Sequence, residues 1–413
     1  MLVKPFAALR PQTQFVKECA ALPYDVMSSQ EAREEVVGKP YSFLHIDKAE
    51  IDLPPEVDLY ADEVYAKAAE NLRTFEEKGV YLQEKSKKFY FYRQIMNGRA
   101  QTGIVGCASI DDYLQNKIKK HELTRADKEQ DRICHVDTCS AQTGPIFLAY
   151  KQNKKLDEII QKQTQKAPLY DFVSSDGIQH TVWESADQAV EKEIESEFEK
   201  LSALYIADGH HRAASAVKAG LKRREQNPNF SGEEEFNFFL SVIFPANSLK
   251  IFDYNRLLRD TGGKSEEEFL KAVENALGKV EPVLSEEPFA PQETHTIGLF
   301  LSGKWYKVQF RKEICEAETP SQRLDCAILQ NYLLSPVLGI EDPRTDKRID
   351  FVGGIRGLKY LEKRCQEDAK VAISMFPVTM DELISVADAG DIMPPKSTWF
   401  EPKLRSGIFI HKI

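Results

Sequence analysis

The sequence predicts a mixed α/β protein: one α/β core and a further α+β region toward the C-terminal side. Three observations carry that expectation. The apolar run "ALYIA" stops at Asp208-Gly209 and gives way to an alanine-rich segment of helical spacing. Two strand-like runs meet at Asn97-Gly98, a pair that supplies the positive φ angles of a tight hairpin. Between these, short apolar runs alternate with long charged segments of helical period.

In order, the segment from Pro5 to Ile51 alternates short apolar runs with turn residues. Within it, "SSQEAREEVV" offers a serine cap and first-turn acids for a short helix, and "SFLHI" puts His45 at alternating spacing in a strand. Residues 58–78 repeat apolar positions at helical spacing, and "KKFYFYRQIMNG" with "RAQTGIVGCASI" forms the hairpin. The stretch "SIDDYLQNKIKKHELTRADKEQDR" reads as charged helix, "TGPIFLAY" as strand, Lys154 to Gln165 as helix, "GIQHTVWES" as strand and Ala186 to Leu201 as helix. After the junction at Asp208 come a polar loop, "RREQNPNFSGEEEF", and the strand "NFFLSVIFP". Beyond Asp260, "TGGKSEEEFLKAVENALGKV" opens a capped helix and "THTIGLFLSGKWYKVQF" a strand pair. The expected division is a catalytic core over 1–260, an α+β accessory domain over 261–390, and a loop and strand over 391–413 returning to the core.

Bulk composition narrows the function. A chain of 413 residues, 42% hydrophobic, can build real cores. Its net charge of -10 disfavours nucleic acid and anionic membrane as main partners, since either rewards a basic face. No apolar run approaches a spanning helix or a signal peptide, and seven scattered cysteines lack the spacing of a secreted disulfide scaffold. The expectation is a soluble cytoplasmic protein.

The densest chemistry sits in "YIADGHHRAASA". A strand that turns at Gly209 into a helix presents unpaired backbone N–H groups and the positive end of the helix dipole, which together receive an anion. Gly209, His211 and Arg212 would cradle a phosphate, with Arg212 a bidentate partner and Ser215 a further hydroxyl donor. A carboxylate beside a phosphate is repulsive unless it has work to do. Asp208, or His210, would take the proton of a hydroxyl attacking phosphorus, or Asp208 would help hold a metal ion. The plainer alternative is an aspartate that only caps the helix.

These residues resemble the second box of the ParB/sulfiredoxin superfamily, where a Gly-x-x-Arg turn at a helix start binds nucleotide phosphates. His210 stands where sulfiredoxins carry a cysteine, so sulfinic acid reduction is not expected. Over nearly its whole length the chain resembles the domain-of-unknown-function family DUF1015, through "PFAALRP", "LPYDVMSSQEAR", "YSFLHI", "HELTRADKEQDR", "TGPIFLAY", "YIADGHHRAASA", "FDYNRLL" and "MPPKSTWFEPKLRSGIFI". The resemblance implies a ParB/sulfiredoxin-like nucleotide- or phosphate-binding core. It also implies kinship with kinases of free serine that take ATP, ADP or pyrophosphate as donor.

Other groups join the candidate site. His121, Arg125, Lys128 and Arg132 place cations on adjoining faces of one expected helix; the resemblance adds weight to Arg125 and Lys128 as phosphate ligands. Lys396 and Ser397, on the rigid "PPKST" loop, can supply an ammonium and a hydroxyl to a phosphate. Asp25 or Glu31 could receive the ammonium of an amino acid, although Glu31 equally completes a capping box with Ser28. Cys134, His135 and Cys139 lack the spacing of a zinc site, and no residue is assigned as a metal ligand, while Mg²⁺ with a phosphate donor needs only a carboxylate or two. The expected function is a small-molecule phosphotransferase acting on free L-serine, run in either direction. The alternative is a non-enzymatic nucleotide-binding switch or a DNA-associated ParB-like protein.

Overall fold

The computed structural model describes every residue of the chain except 186. It is a mixed α/β structure that divides into two compact units, one of residues 1–249 and 402–413 and the other of residues 250–401. Sequence reading placed the divisions at 260 and 390. They fall earlier and later because Tyr254–Leu258 pairs antiparallel with Ile349–Gly353 and with Val371–Met375, and Ile251–Phe252 pairs with Trp399–Phe400.

The first unit is built on a nine-stranded mixed sheet. Its path runs Ile118–Lys119, Leu204–Asp208, Ile146–Tyr150, Phe238–Pro245, Arg99–Ser109, Tyr90–Met96, Gln179–Glu184, Tyr170–Val173, with Val3–Lys4 added on Arg99–Ser109. The strands Phe238–Pro245 and Ile146–Tyr150 run parallel and are buried along their whole length, apolar but for Ser241, as strands covered on both faces are. One face packs Ile104, Leu148, Ile206, Phe239 and Ile243 with Ala213, Ala216 and Val217 of the helix His210–Gln226. The hairpin forms where the sequence marks it, with Asn97 at φ 51 and Gly98 at φ 78.

Several helices follow their capping signals. Ser28 and Glu31 form a reciprocal capping box on Ser29–Glu35, and Asp187 caps Gln188–Glu199. The expected start of that second helix at residue 186 lies outside the described residues. Asp62–Glu77 forms inside the predicted 58–78 segment, burying Val64, Tyr65, Ala68, Leu72 and Phe75.

Two readings are corrected. His45 lies on the short helix Leu44–Asp47, where its Nδ1 meets Asp52 Oδ1 at 2.8 Å, and not in a strand. A run as short as "SFLHI", five residues, fits one helical turn as well as a strand, so period alone does not decide. The charged stretch after the hairpin is not one helix. It breaks into Ile110–Leu114, the strand Ile118–Lys119 and the helix Ala126–Cys139, with Asn116 at φ 55 between the first two. Pairing with Leu204–Tyr205 at the sheet edge outweighs local helix propensity there.

The second unit carries a six-stranded antiparallel sheet in the order Gly278–Pro282, Lys304–Phe310, Thr296–Leu301, Val371–Met375, Tyr254–Leu258, Ile349–Gly353. Ser265 and Glu268 cap its helix Glu266–Ala276. No helix among the described residues is long and apolar enough to cross a membrane.

Candidate active site

The strand Leu204–Asp208 ends in a register shift between Ile206 and Asp208 against its neighbour, and Gly209 follows at φ 88. The helix His210–Gln226 then starts at once, with no side chain capping it. This is the arrangement the sequence implies: amides without a side-chain cap at the positive end of a 17-residue helix. A Cβ on residue 209 would stand 3.1 Å from Arg212 Cζ and Nε, so glycine answers both to the backbone angle and to a guanidinium folded over it.

Asp208 is held on two sides. Its Oδ1 accepts from the Gly209 amide at 2.8 Å, and its Oδ2 lies 3.2 Å from Lys403 Nζ. Burial alone would raise its pKa, but Lys403 and Arg212 hold it well below the ordinary carboxylate range. Asp208 is therefore an anion at neutral pH. Lys403 escaped the sequence reading because 195 positions separate the two residues and no spacing rule connects them.

Arg212 NH1 donates to Pro145 O at 2.5 Å, and its Nε is buried without a partner. Burial disfavours its charge, yet Asp25, Asp208, Tyr24 and Asp47 more than restore it, so the guanidinium stays protonated. It lines a cavity of about 30 Å³ with Tyr24, Asp47, Arg132, Thr143 and Gly144. Arg132 in the same wall donates to Asp131 Oδ2 at 2.9 Å and lies 4.1 Å above the Tyr24 ring.

The two histidines differ. His211 Nε2 accepts from the Arg125 amide at 3.0 Å, which requires a neutral ring and leaves Nδ1 as the nitrogen able to serve a ligand. Burial lowers its pKa, in keeping with that role. His210 is buried and turned toward His121, with ring centroids 4.5 Å apart and edge to face. Burial and the neighbouring His121 push its pKa well below the ordinary histidine value.

The remaining candidates are placed as follows. Arg125 precedes the helix Ala126–Cys139 and is exposed, paired with Asp127 at 2.8 Å. Lys128 Nζ donates to Tyr60 OH at 3.0 Å. His121 and Arg125 lie before that helix, so the expected four-cation helical face is not formed. Asp25 is exposed on the turn Tyr24–Val26, and its charge reaches both His211 and Arg212. Glu31 Oε2 accepts from the Ser28 amide at 2.7 Å, the capping role that the sequence left open.

Ser215 does not face the helix start. It is fully buried and donates to His211 O at 2.7 Å and Glu129 O at 3.1 Å, tying its helix to Ala126–Cys139. A hydroxyl one turn into a helix reaches the carbonyl four residues back, which satisfies it without a ligand. Lys396 and Ser397 belong to the second unit. There Ser397 Oγ donates to Pro394 O at 2.6 Å and lies 3.1 Å from Cys326 Sγ, and Lys396 Nζ lies 5.6 Å from the Tyr254 ring centroid.

A family model described as a protein of unknown function, DUF1015, matches residues 3–327. The chain belongs to the DUF1015 family. No curated relative matches it at a significant level. Among solved structures, this DUF1015 member is similar to a free serine kinase in complex with AMP, at 14% identity over 71% of this chain and 86% of that one, with a TM-score of 0.35. A conserved hypothetical protein from Pyrococcus furiosus is 16% identical over 73% and 93%, also with a TM-score of 0.35. SbnI with a C-terminal truncation, from Staphylococcus aureus, is 11% identical over 74% and 85%, with a TM-score of 0.40.

Proposed function

We propose that this chain is a small-molecule phosphotransferase on a ParB/sulfiredoxin-like core, acting on the hydroxyl of free L-serine with ATP, ADP or pyrophosphate as donor. The observation that carries this reading is the Asp208 carboxylate, kept ionised by Lys403 at 3.2 Å beside a helix start that no side chain caps. The backbone amides after Gly209, together with Arg212, receive the phosphate. In this reading Lys403 also neutralises charge gathering on the transferred group.

Asp208 is the acceptor for the hydroxyl proton, in preference to His210. The His210 ring is turned into a buried contact with His121, whereas Asp208 keeps part of its side chain at the surface. A carboxylate held this far down is a weak base. That suits phosphoryl transfer, where the attacking hydroxyl is oriented first and gives up its proton late. In this reading His211 Nδ1, Arg125 and Lys128 contact the donor, and Asp25 receives the ammonium of serine. A divalent ion such as Mg²⁺ would accompany the donor through its own phosphate oxygens.

The test is a panel of ATP, ADP and pyrophosphate against L-serine, L-threonine and L-homoserine, followed by phosphorus NMR, with Asp208→Asn as control. The expected result is phosphoserine formed from L-serine and lost in the variant. Absence of turnover with every donor and acceptor would remove the proposal.

A further inference from the structure

Among the described residues, two neighbouring histidines carry three buried nitrogens that no protein atom meets at hydrogen-bonding geometry, the Ile206 backbone being the nearest group acting on His121. Both ring nitrogens of His121 and Nε2 of His210 are buried without a hydrogen bond. The residues are 1% and 4% exposed, so bulk water does not serve them. The large majority of buried polar atoms are satisfied, and three such nitrogens on two touching rings call for something between them. Glu122 completes the group. Its Oε2 lies 3.6 Å from His210 Nδ1, and its side chain is 48% exposed.

One ligand atom from each of His121, Glu122 and His210 falls within 4.8 Å of the others. The sheet brings them together. Ile118–Lys119 runs parallel to Leu204–Tyr205, so the residues just beyond each strand emerge at the same end. His121 follows one strand and His210 the other.

We propose that His121, Glu122 and His210 bind one first-row divalent transition-metal ion, with Zn²⁺ the best match. Two imidazoles and a carboxylate are the donors such ions choose, whereas Mg²⁺ and Ca²⁺ select oxygen throughout. Three protein ligands leave a coordination position open, as in catalytic zinc sites. The exposed Glu122 marks the side from which the ion enters. The assignment stands on these three side chains and does not require the phosphotransferase reading.

Binding is measured on the full chain, stripped with a chelator, without nucleotide or serine. Zn²⁺, Co²⁺, Mn²⁺ and Mg²⁺ are titrated by calorimetry, Co²⁺ also by its visible absorption, and bound zinc per chain is counted by mass spectrometry. The expected result is about one Zn²⁺ or Co²⁺ per chain, far weaker Mg²⁺, and a melting temperature raised by Zn²⁺. Glu122→Gln, at a half-exposed position, should weaken Zn²⁺ by roughly 10-fold or more, since even groups outside the ligand shell contribute about 10–100-fold. His121→Gln and His210→Gln, checked for folding by circular dichroism, should abolish the Co²⁺ spectrum. A stripped wild type that takes up no transition metal, or unchanged Zn²⁺ affinity in all three variants, would overturn the site. Because phosphoserine formation is a separate readout, a negative metal result leaves the phosphotransferase proposal to its own test.

Discussion

Lys403 Nζ stands 3.2 Å from Asp208 Oδ2, and the two residues lie 195 positions apart in the chain. The pair, with Arg212, keeps the Asp208 carboxylate ionised, and its removal has a signed consequence. A carboxylate held low when folded stabilises the protein above the ordinary aspartate pKa, near 3.9, and loses that contribution as pH falls below it. Lys403→Met is therefore expected to raise the Asp208 pKa and shrink the loss of stability below about pH 4. Urea midpoints across that range, compared with Asp208→Asn, check it. Turnover with L-serine, measured at neutral pH, should fall in both variants.

Gly209→Ala tests the turn. Residue 209 has φ 88, and the new methyl meets Arg212 Cζ at 3.1 Å. Strain of this kind costs about 1–3 kcal/mol, and Arg212 must shift as well. Gly98→Ala is the control: its φ is 78, with nothing within 4 Å of the added methyl. It should cost about 1 kcal/mol from the backbone alone. Equal losses by denaturant unfolding would deny Arg212 its contact with the turn.

Ser215→Ala should lower stability by about 1–2 kcal/mol, because a buried carbonyl loses its donor. It should leave the affinity for a phosphate donor unchanged. A selective rise in donor KM would return Ser215 to the binding site.

Acid should weaken the metal-free protein well before its carboxylates protonate. His121, His135, His180, His210 and His211 all have lowered pKa values, burial being the largest cause in each. For a histidine held neutral in the fold, the unfolded chain takes up protons first. Stability is then complete above about pH 6.5 and declines below it. The denaturation midpoint should drop between about pH 7 and pH 5, with a shallower slope in His180→Asn.

The junction was legible because its signals are local: an apolar run, a glycine, and small residues at helical spacing from Ala213 to Val217. The Asn97-Gly98 hairpin and the capping boxes at Ser28 and Ser265 were legible for the same reason. What was hidden depends on contacts distant in sequence. Lys403 reaches Asp208 only through the returning C-terminal segment, and His121 meets His210 only because a two-residue strand joins the sheet edge. Ser215 was misjudged because a hydroxyl near a helix start can face the ligand or the previous turn, and residue type does not distinguish them. The charged stretch over 109–132 misled because its polarity is shared by helices and by sheet-edge strands.

The chain leaves the first unit at Leu249 and re-enters it at Pro402, while Ile251–Phe252 and Trp399–Phe400 are laced together at the base of the inserted unit. Because synthesis runs toward the C-terminus, the order in which the pieces emerge is set by the sequence. While the ribosome is still making the insert, the emerged strands can already form their sheet, yet the aspartate waits for its counter-ion. Lys403 is among the last residues to be made, so the ion pair with Asp208 forms only after residues 250–401 have been synthesised.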